Sequence, residues 1–294
     1  PNQQFILEYH LLTERMGVLD MSKLDIGVLV GLNAEPEPEI KKVADLELKS
    51  CQVCTWKIDL CTEIAGEKLI AACETHGVRV STFWAGYSGP AVWNFLEGPS
   101  TIGLVPEKYR ATRVRELKDA ASWAAKFGLP SITTHVGFLP EDPNNPLYGG
   151  TVDALKEIVA HCGELGIEFW FETGQETPVT LLRTIERIGM DNVGINLDTA
   201  NVILYGKGNP VDSLDVFGKY VKDLHIKDGF YPTTGDDLGE QVPLGQGKVE
   251  FETVVSRLKE FGYTGPLTLE RECGDAADEI ADLRECIAIL EPLR

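Results

Sequence analysis

Eight short apolar runs alternate with amphipathic stretches from Leu24 to the end of the chain, and this alternation constrains the fold more than any other feature. The runs are DIGVLVGL, CQVCTW, VRVSTFW, SITTHVG, IEFWFET, VGINLDT, KDLHIKD and PLTLERE. Between them lie segments such as EKLIAACETHG, ATRVRELKDAASWAAKFG, TVDALKEIVAHCGELG, TLLRTIERIG and FETVVSRLKEFG, with apolar residues at helical spacing. These five segments end at Gly77, Gly128, Gly166, Gly189 and Gly262. Glycine adopts the left-handed conformation that closes many helices, so each reads as a helix-to-strand turn. Repeated βα units of this spacing predict a single (β/α)8 TIM barrel over 23–294, with 1–22 as a short N-terminal extension. An open doubly wound sheet is the alternative. It would carry a glycine-rich turn after its first strand, where this chain has GLNAEPEPE.

Charge and composition narrow the partners. The 294 residues include 27 Lys and Arg against 46 Asp and Glu, a formal charge of −19 that repels a phosphate backbone. Nucleic acid is therefore not the expected partner. No stretch reaches the roughly 18 apolar residues of a membrane span, and the first residues do not pattern as a secretory leader, so a cytoplasmic location is expected. Homo-oligomerisation is left open. Of seven cysteines, Cys51 and Cys54 form a C-x-x-C. It lies inside a strand-like run without a second pair, and reads as core thiols in a reducing compartment rather than a zinc or redox site.

Four consecutive runs end on a residue that can bind a metal: Glu172, Asp198, His225 and Glu270. On this fold the strand C-termini form the active-site face, and consecutive strands are neighbours, so these side chains can converge. Three carboxylates and one imidazole suit a hard divalent cation. Strand side chains alternate with period two, which places Trp170 and Glu168 inward below Glu172, Asn196 below Asp198, Asp223 below His225, and Thr268 below Glu270. Asp223 is thus expected to accept the imidazole proton of His225, and Asn196 to support the ligands from below. Trp84, ending the third run, is placed to stack on the apolar face of a bound substrate, and Glu176, Asn201 and Lys227 to bind its polar groups.

These residues carry a resemblance to the xylose-isomerase-like TIM barrels of the sugar-phosphate isomerase/epimerase superfamily, covering 24–292. Its most specific segments are ETGQE, LDTAN, HIKD, PLGQGKVEF and GYTGPLTLERE. The resemblance implies that Glu172, Asp198, His225 and Glu270 bind one divalent cation, Mn²⁺ ahead of Mg²⁺, Co²⁺ or Zn²⁺. It also implies that Glu172 and Glu270 transfer protons, and that His135 lines the pocket. The implied function is an isomerase or epimerase of a small keto-sugar or keto-polyol, acting through a metal-stabilised enediolate. A lyase or dehydratase on the same scaffold is the alternative enzyme, and a metal-holding barrel subunit the non-catalytic one. The intact glutamate pair favours catalysis.

The sequence also departs from particular branches of the superfamily. Asn201 stands where ketohexose 3-epimerases generally have a histidine, and Lys227-Asp228 follow His225 where they carry an arginine. That pattern resembles the inositol-ketone isomerases and dehydratases. Glu172 lacks the E-P-K context of the two-metal xylose isomerases, and Asn201 takes one of the additional histidine positions that the endonuclease IV branch needs for its trinuclear zinc.

Overall fold

In the computed structural model, which describes residues 23–271 and 279–294, eight parallel strands form a barrel ringed by helices. The expected extension 1–22 lies outside the described residues. The barrel strands are β1 Ile26–Gly31, β2 Ser50–Thr55, β3 Arg79–Ala85, β4 Ser131–His135, β5 Glu168–Glu172, β6 Val193–Asp198, β7 Val221–His225 and β8 Leu267–Leu269. They pair in sequence order, with β8 on β1. The ring closes between β7 and β8 through a parallel bridge of Ile226 with Leu269, where Ile226 N donates to Thr268 O at 2.7 Å.

The main intervening helices are α1 Glu37–Asp45, α2 Glu63–His76, α3 Glu107–Lys126, α4 Pro146–Glu164, α5 Pro178–Ile188, α6 Pro210–Phe217, α7 Phe251–Glu260 and α8 Glu279–Leu290. Four of them start on a capping side chain: those of Thr62, Asn145, Thr177 and Asn209 each accept from a backbone N–H of the first turn. The glycines expected to close helices all have positive φ, from 65° at Gly77 to 76° at Gly166 and Gly262.

Outward-facing strand residues such as Val28, Ile132, Phe169, Ile195 and Leu224 join Leu69, Leu117, Leu155 and Ile185 of the helices in one buried apolar layer. Full burial of such a side chain contributes about 1.5–3 kcal/mol. Cys51 belongs to this layer, while Cys54 lies on the other side of β2 and reaches the pocket at the strand ends. The inward faces are polar. Ser131 Oγ donates to Thr82 Oγ1 at 2.7 Å, Gln52 Nε2 to Asn196 Oδ1 at 2.8 Å, and Thr268 Oγ1 to Asp223 Oδ1 at 2.9 Å. Lower in the barrel, Trp170 donates its indole N–H to Glu168 at 2.7 Å.

Above β3 the chain makes a long excursion before α3, and a buried arginine of α3 secures it. Arg113 donates to the carbonyls of Ser88, Pro90, Thr101 and Gly103 at 2.6–3.1 Å. Its guanidinium also lies 4.3 Å from the centre of the Tyr87 ring. The segment held this way contains Trp93, which lines the pocket. Arg113→Met removes the fork and strands several carbonyls, each costing about 1–3 kcal/mol if left unpaired. Urea titration should show a loss of at least about 3 kcal/mol. Arg113→Lys should recover only part of it, because an ammonium cannot span the same carbonyls. Wild-type stability in Arg113→Met would contradict this role.

Candidate active site

The four strand-end residues meet. One donor atom from each of Glu172, Asp198, His225 and Glu270 lies within 4.8 Å of the others. Pairing in register brings Asp198 opposite His225, and Glu172 opposite Asn196 one layer lower. Glu270 follows the last residue of β8 and is carried to the same level by the Ile226–Leu269 bridge. His225 Nδ1 lies 2.8 Å from both Glu172 Oε1 and Glu270 Oε2. Asp198 Oδ1 accepts from Ala200 N at 2.9 Å and Asn201 N at 2.8 Å. These bonds leave its Oδ2 for the centre, where Lys227 Nζ stands 2.9 Å away.

The electrostatics are those of crowded carboxylates around shared cations. Burial opposes ionisation of Glu172, but His135 and His225 hold its carboxyl below the ordinary range. Burial likewise opposes ionisation of Glu270, and His225 and Lys227 overcome it more strongly. For Asp198 burial wins, joined by Glu270 and Glu172, and its carboxyl is pushed up to about 7. Burial acts to lower the His225 imidazole, yet Glu270 and Glu172 keep it well above the usual histidine value. A set of three oxygen donors and one nitrogen converging in this field fits a divalent cation.

Glu172 and Glu270 of the cluster line the floor of a pocket of about 420 Å³, together with Trp56, Trp84, Trp93, His135, Tyr205 and Lys227, among others. Trp84 donates its indole N–H to Glu172 Oε2, and His135 Nε2 lies 3.2 Å from the same oxygen. Trp84 and His135 therefore hold the glutamate as they line the pocket, a contact not among those expected of them. Asn201 reaches the pocket and donates to Thr173 O at 3.3 Å. Lys227 bridges Asp198 and Glu270, the latter at 3.1 Å, and is buried.

Two expectations need correction. Glu176 is buried but does not line the pocket; its electrostatic neighbours are Lys207 and Glu141, and burial raises its carboxyl to about 8. Asp223 is inward and fully buried, but it does not take the His225 proton. His225 Nε2 bonds Gln52 Oε1 at 2.8 Å instead, while Asp223 Oδ1 accepts from Thr268 and from Leu224 N. The stagger of barrel strands lets a residue of β2 reach the histidine that Asp223 only precedes on its own strand. Asn196 sits below Asp198 as expected, opposite Glu172, and is linked to His225 through Gln52.

Gln52, Trp56, Trp93, Thr199 and Tyr205 were not anticipated. Trp56 follows the second strand as Trp84 ends the third, a positional signal that could have found it. Thr199 Oγ1 donates to Lys227 O at 2.6 Å and accepts from Lys227 N at 3.1 Å, so it fixes the backbone behind that ammonium. Asp228 holds the next segment. Its carboxylate accepts from the backbone N–H groups of Gly229, Gly245, Gly247 and Val249 at 2.8–3.0 Å. A Cβ on Gly247 would lie 2.1 Å from Asp228 Oδ1, so PLGQGKV wraps this carboxylate only with glycine there.

Residues 40–292 match the family model described as xylose isomerase-like TIM barrel. A xylose isomerase domain protein from Planctomyces limnophilus is 34% identical, with a TM-score of 0.86 over 92% of this chain and 98% of that one. An uncharacterized protein of Methanocaldococcus jannaschii is 27% identical over 198 residues, spanning 63% of this chain and 65% of that relative's length. D-psicose 3-epimerase from Clostridium cellulolyticum H10, solved with D-tagatose, shares the fold at a TM-score of 0.70. Its identity is 15%, over 92% of this chain and 99% of that one.

Metal analysis of protein purified without chelator should find about one divalent ion per chain, and His225→Ala should lose most of it, because His225 is the sole nitrogen donor. A proton on Nδ1 must leave before a cation can bind there, so affinity should fall as pH is lowered, with proton release on binding. Calorimetry in buffers of different ionisation enthalpy reads that release. Full metal retention by His225→Ala, or binding without proton release, would contradict the assignment.

Proposed function

The chain belongs to the xylose isomerase-like TIM barrel family, and from that premise we propose a divalent-metal-dependent isomerase or epimerase of a small keto-sugar or keto-polyol. The observation that carries this reading is the placement of Glu172 and Glu270 against His225 Nδ1, 2.8 Å from each, on the floor of the aromatic pocket. The pocket volume lies within the range of small-molecule sites, roughly 300–1,000 Å³.

Glu172, Asp198, His225 and Glu270 would hold the ion, Mn²⁺ in our reading. When bound, the cation polarises the substrate carbonyl and lowers the barrier to removing a neighbouring proton. Glu172 and Glu270, both kept ionised by their neighbours, serve as the proton-accepting and, once protonated, the proton-donating groups. Trp84 and His135 fix the free oxygen of Glu172, while Lys227 meets Glu270 at Oε2, the oxygen it already presents to His225, and would reach substrate hydroxyls from the β7–β8 seam. The indole faces of Trp56 and Trp93, 43% and 42% exposed, cover the apolar side of a sugar ring and limit water. Asn201 adds an amide at the rim.

Proton return to the opposite face of the same carbon gives an epimer, and return to the adjacent carbon an isomer. No helix among the described residues is long and apolar enough to cross a membrane. The proposal includes a cytoplasmic setting, supported by the unbridged thiols of Cys51, Cys73 and Cys162.

The test is a screen of keto-sugars and inosose in deuterium oxide with Mn²⁺, read by NMR. Deuterium in recovered or rearranged sugar is expected, and a dehydrated product would move the assignment to the lyase. Glu172→Gln and Glu270→Gln keep size and an oxygen donor but remove the base. Each should lose at least about 100-fold in turnover while still binding some metal. In an epimerase, each variant should lose exchange more severely from a different epimer. Wild-type turnover in both variants would rule out the acid–base roles.

A further inference from the structure

We propose that Gln52 is a positioning residue that fixes the ring state of His225, keeping a hydrogen on Nε2 so that Nδ1 alone serves the ligand cluster. The inference rests on the reading of His225 as a ligand. Gln52 lies on β2 and reaches across the barrel interior to β7. Its amide has one end that only donates and one that only accepts. What decides its orientation is the main-chain carbonyl of Leu224, 3.3 Å from Nε2, together with Asn196 Oδ1 at 2.8 Å.

A carbonyl cannot donate, so the end of Gln52 facing Leu224 O must be the NH₂ group. Oε1 is then directed at His225 Nε2, 2.8 Å away. Because Oε1 can only accept, Nε2 must carry the hydrogen. Rotating the amide by half a turn would set two oxygens against one another at Leu224 and forfeit both donated bonds. Gln52, Asn196, Leu224 and His225 are all fully buried, and an unpaired buried polar group costs about 1–3 kcal/mol. The chain of constraint therefore runs from a backbone oxygen, which has no choice of role, through the amide to the imidazole.

The type of residue matters as much as its place. A carboxylate beneath the imidazole, the common partner of a metal-bound histidine, would add a fourth negative charge below Glu172, Asp198 and Glu270. Gln52 supplies the same acceptor without that charge. Asp223, the carboxylate next to this position, accepts from Thr268 Oγ1 and Leu224 N and faces Ser81 and the donating end of Gln52, not the imidazole.

The test uses the full chain with isotope-labelled histidine, loaded with spin-active cadmium and read by NMR. Cadmium coupling is expected on His225 Nδ1, with Nε2 retaining its hydrogen and exchanging slowly with solvent. In Gln52→Met, which keeps size but removes the acceptor, calorimetry should show cadmium affinity falling about 10- to 100-fold, and the Nε2 hydrogen should exchange faster. Cadmium on Nε2, or a folded Gln52→Met with unchanged affinity and ring signals, would overturn the proposal. The wild-type spectrum decides even if the variant fails to fold. Absence of cadmium coupling at either ring nitrogen would instead remove His225 from the ligand set, and the proposal with it.

Discussion

The sharing of His225 Nδ1 between Glu172 and Glu270 is the contact on which the pocket floor depends. Three carboxylates converge where little of their surface meets solvent, and like charges so placed cannot all ionise without positive charge among them. Within the protein itself the imidazole and the Lys227 ammonium supply it, and Asp198, pushed up to about 7, shows where it falls short. A divalent cation at the same point would meet that need directly.

Such a floor requires a barrel interior that differs from the usual one. Layers of branched apolar side chains commonly fill a barrel of this type, but here Gln52, Thr82, Ser131, Asn196, Asp223 and Thr268 lie within it. Their hydrogen bonds run between strands distant in sequence, so the interior stabilises the barrel and orients the ligands through the same contacts. The apolar layer between strands and helices supplies the hydrophobic stabilisation. The two roles are thus divided between the inner and outer faces of each strand.

Two clamps shape the rim. Arg113 gathers four carbonyls beneath the segment bearing Trp93, and Asp228 gathers four N–H groups of the segment after β7. One uses a cation to satisfy acceptors and the other an anion to satisfy donors. Each gives an irregular stretch of backbone the partners that secondary structure would otherwise provide. The HIKD and PLGQGKV segments are therefore parts of one structural unit, joined by the Asp228 carboxylate.

Much of this was legible in sequence because it depends on local rules. Alternating periodicity and helix-closing glycines marked the βα units, and strand ends carrying Glu172, Asp198, His225 and Glu270 marked the face where a site could form. Parity along each strand placed Asn196, Asp223 and Thr268 inward. Which inward residue meets which was decided by the stagger of strands around the closed barrel, a property of no single segment. For that reason Gln52, 173 positions from His225, became its partner in place of Asp223 two residues away, and Glu176 ended behind the pocket wall. Periodicity fixes the face a side chain takes, whereas its partner across a barrel is fixed only when the ring closes.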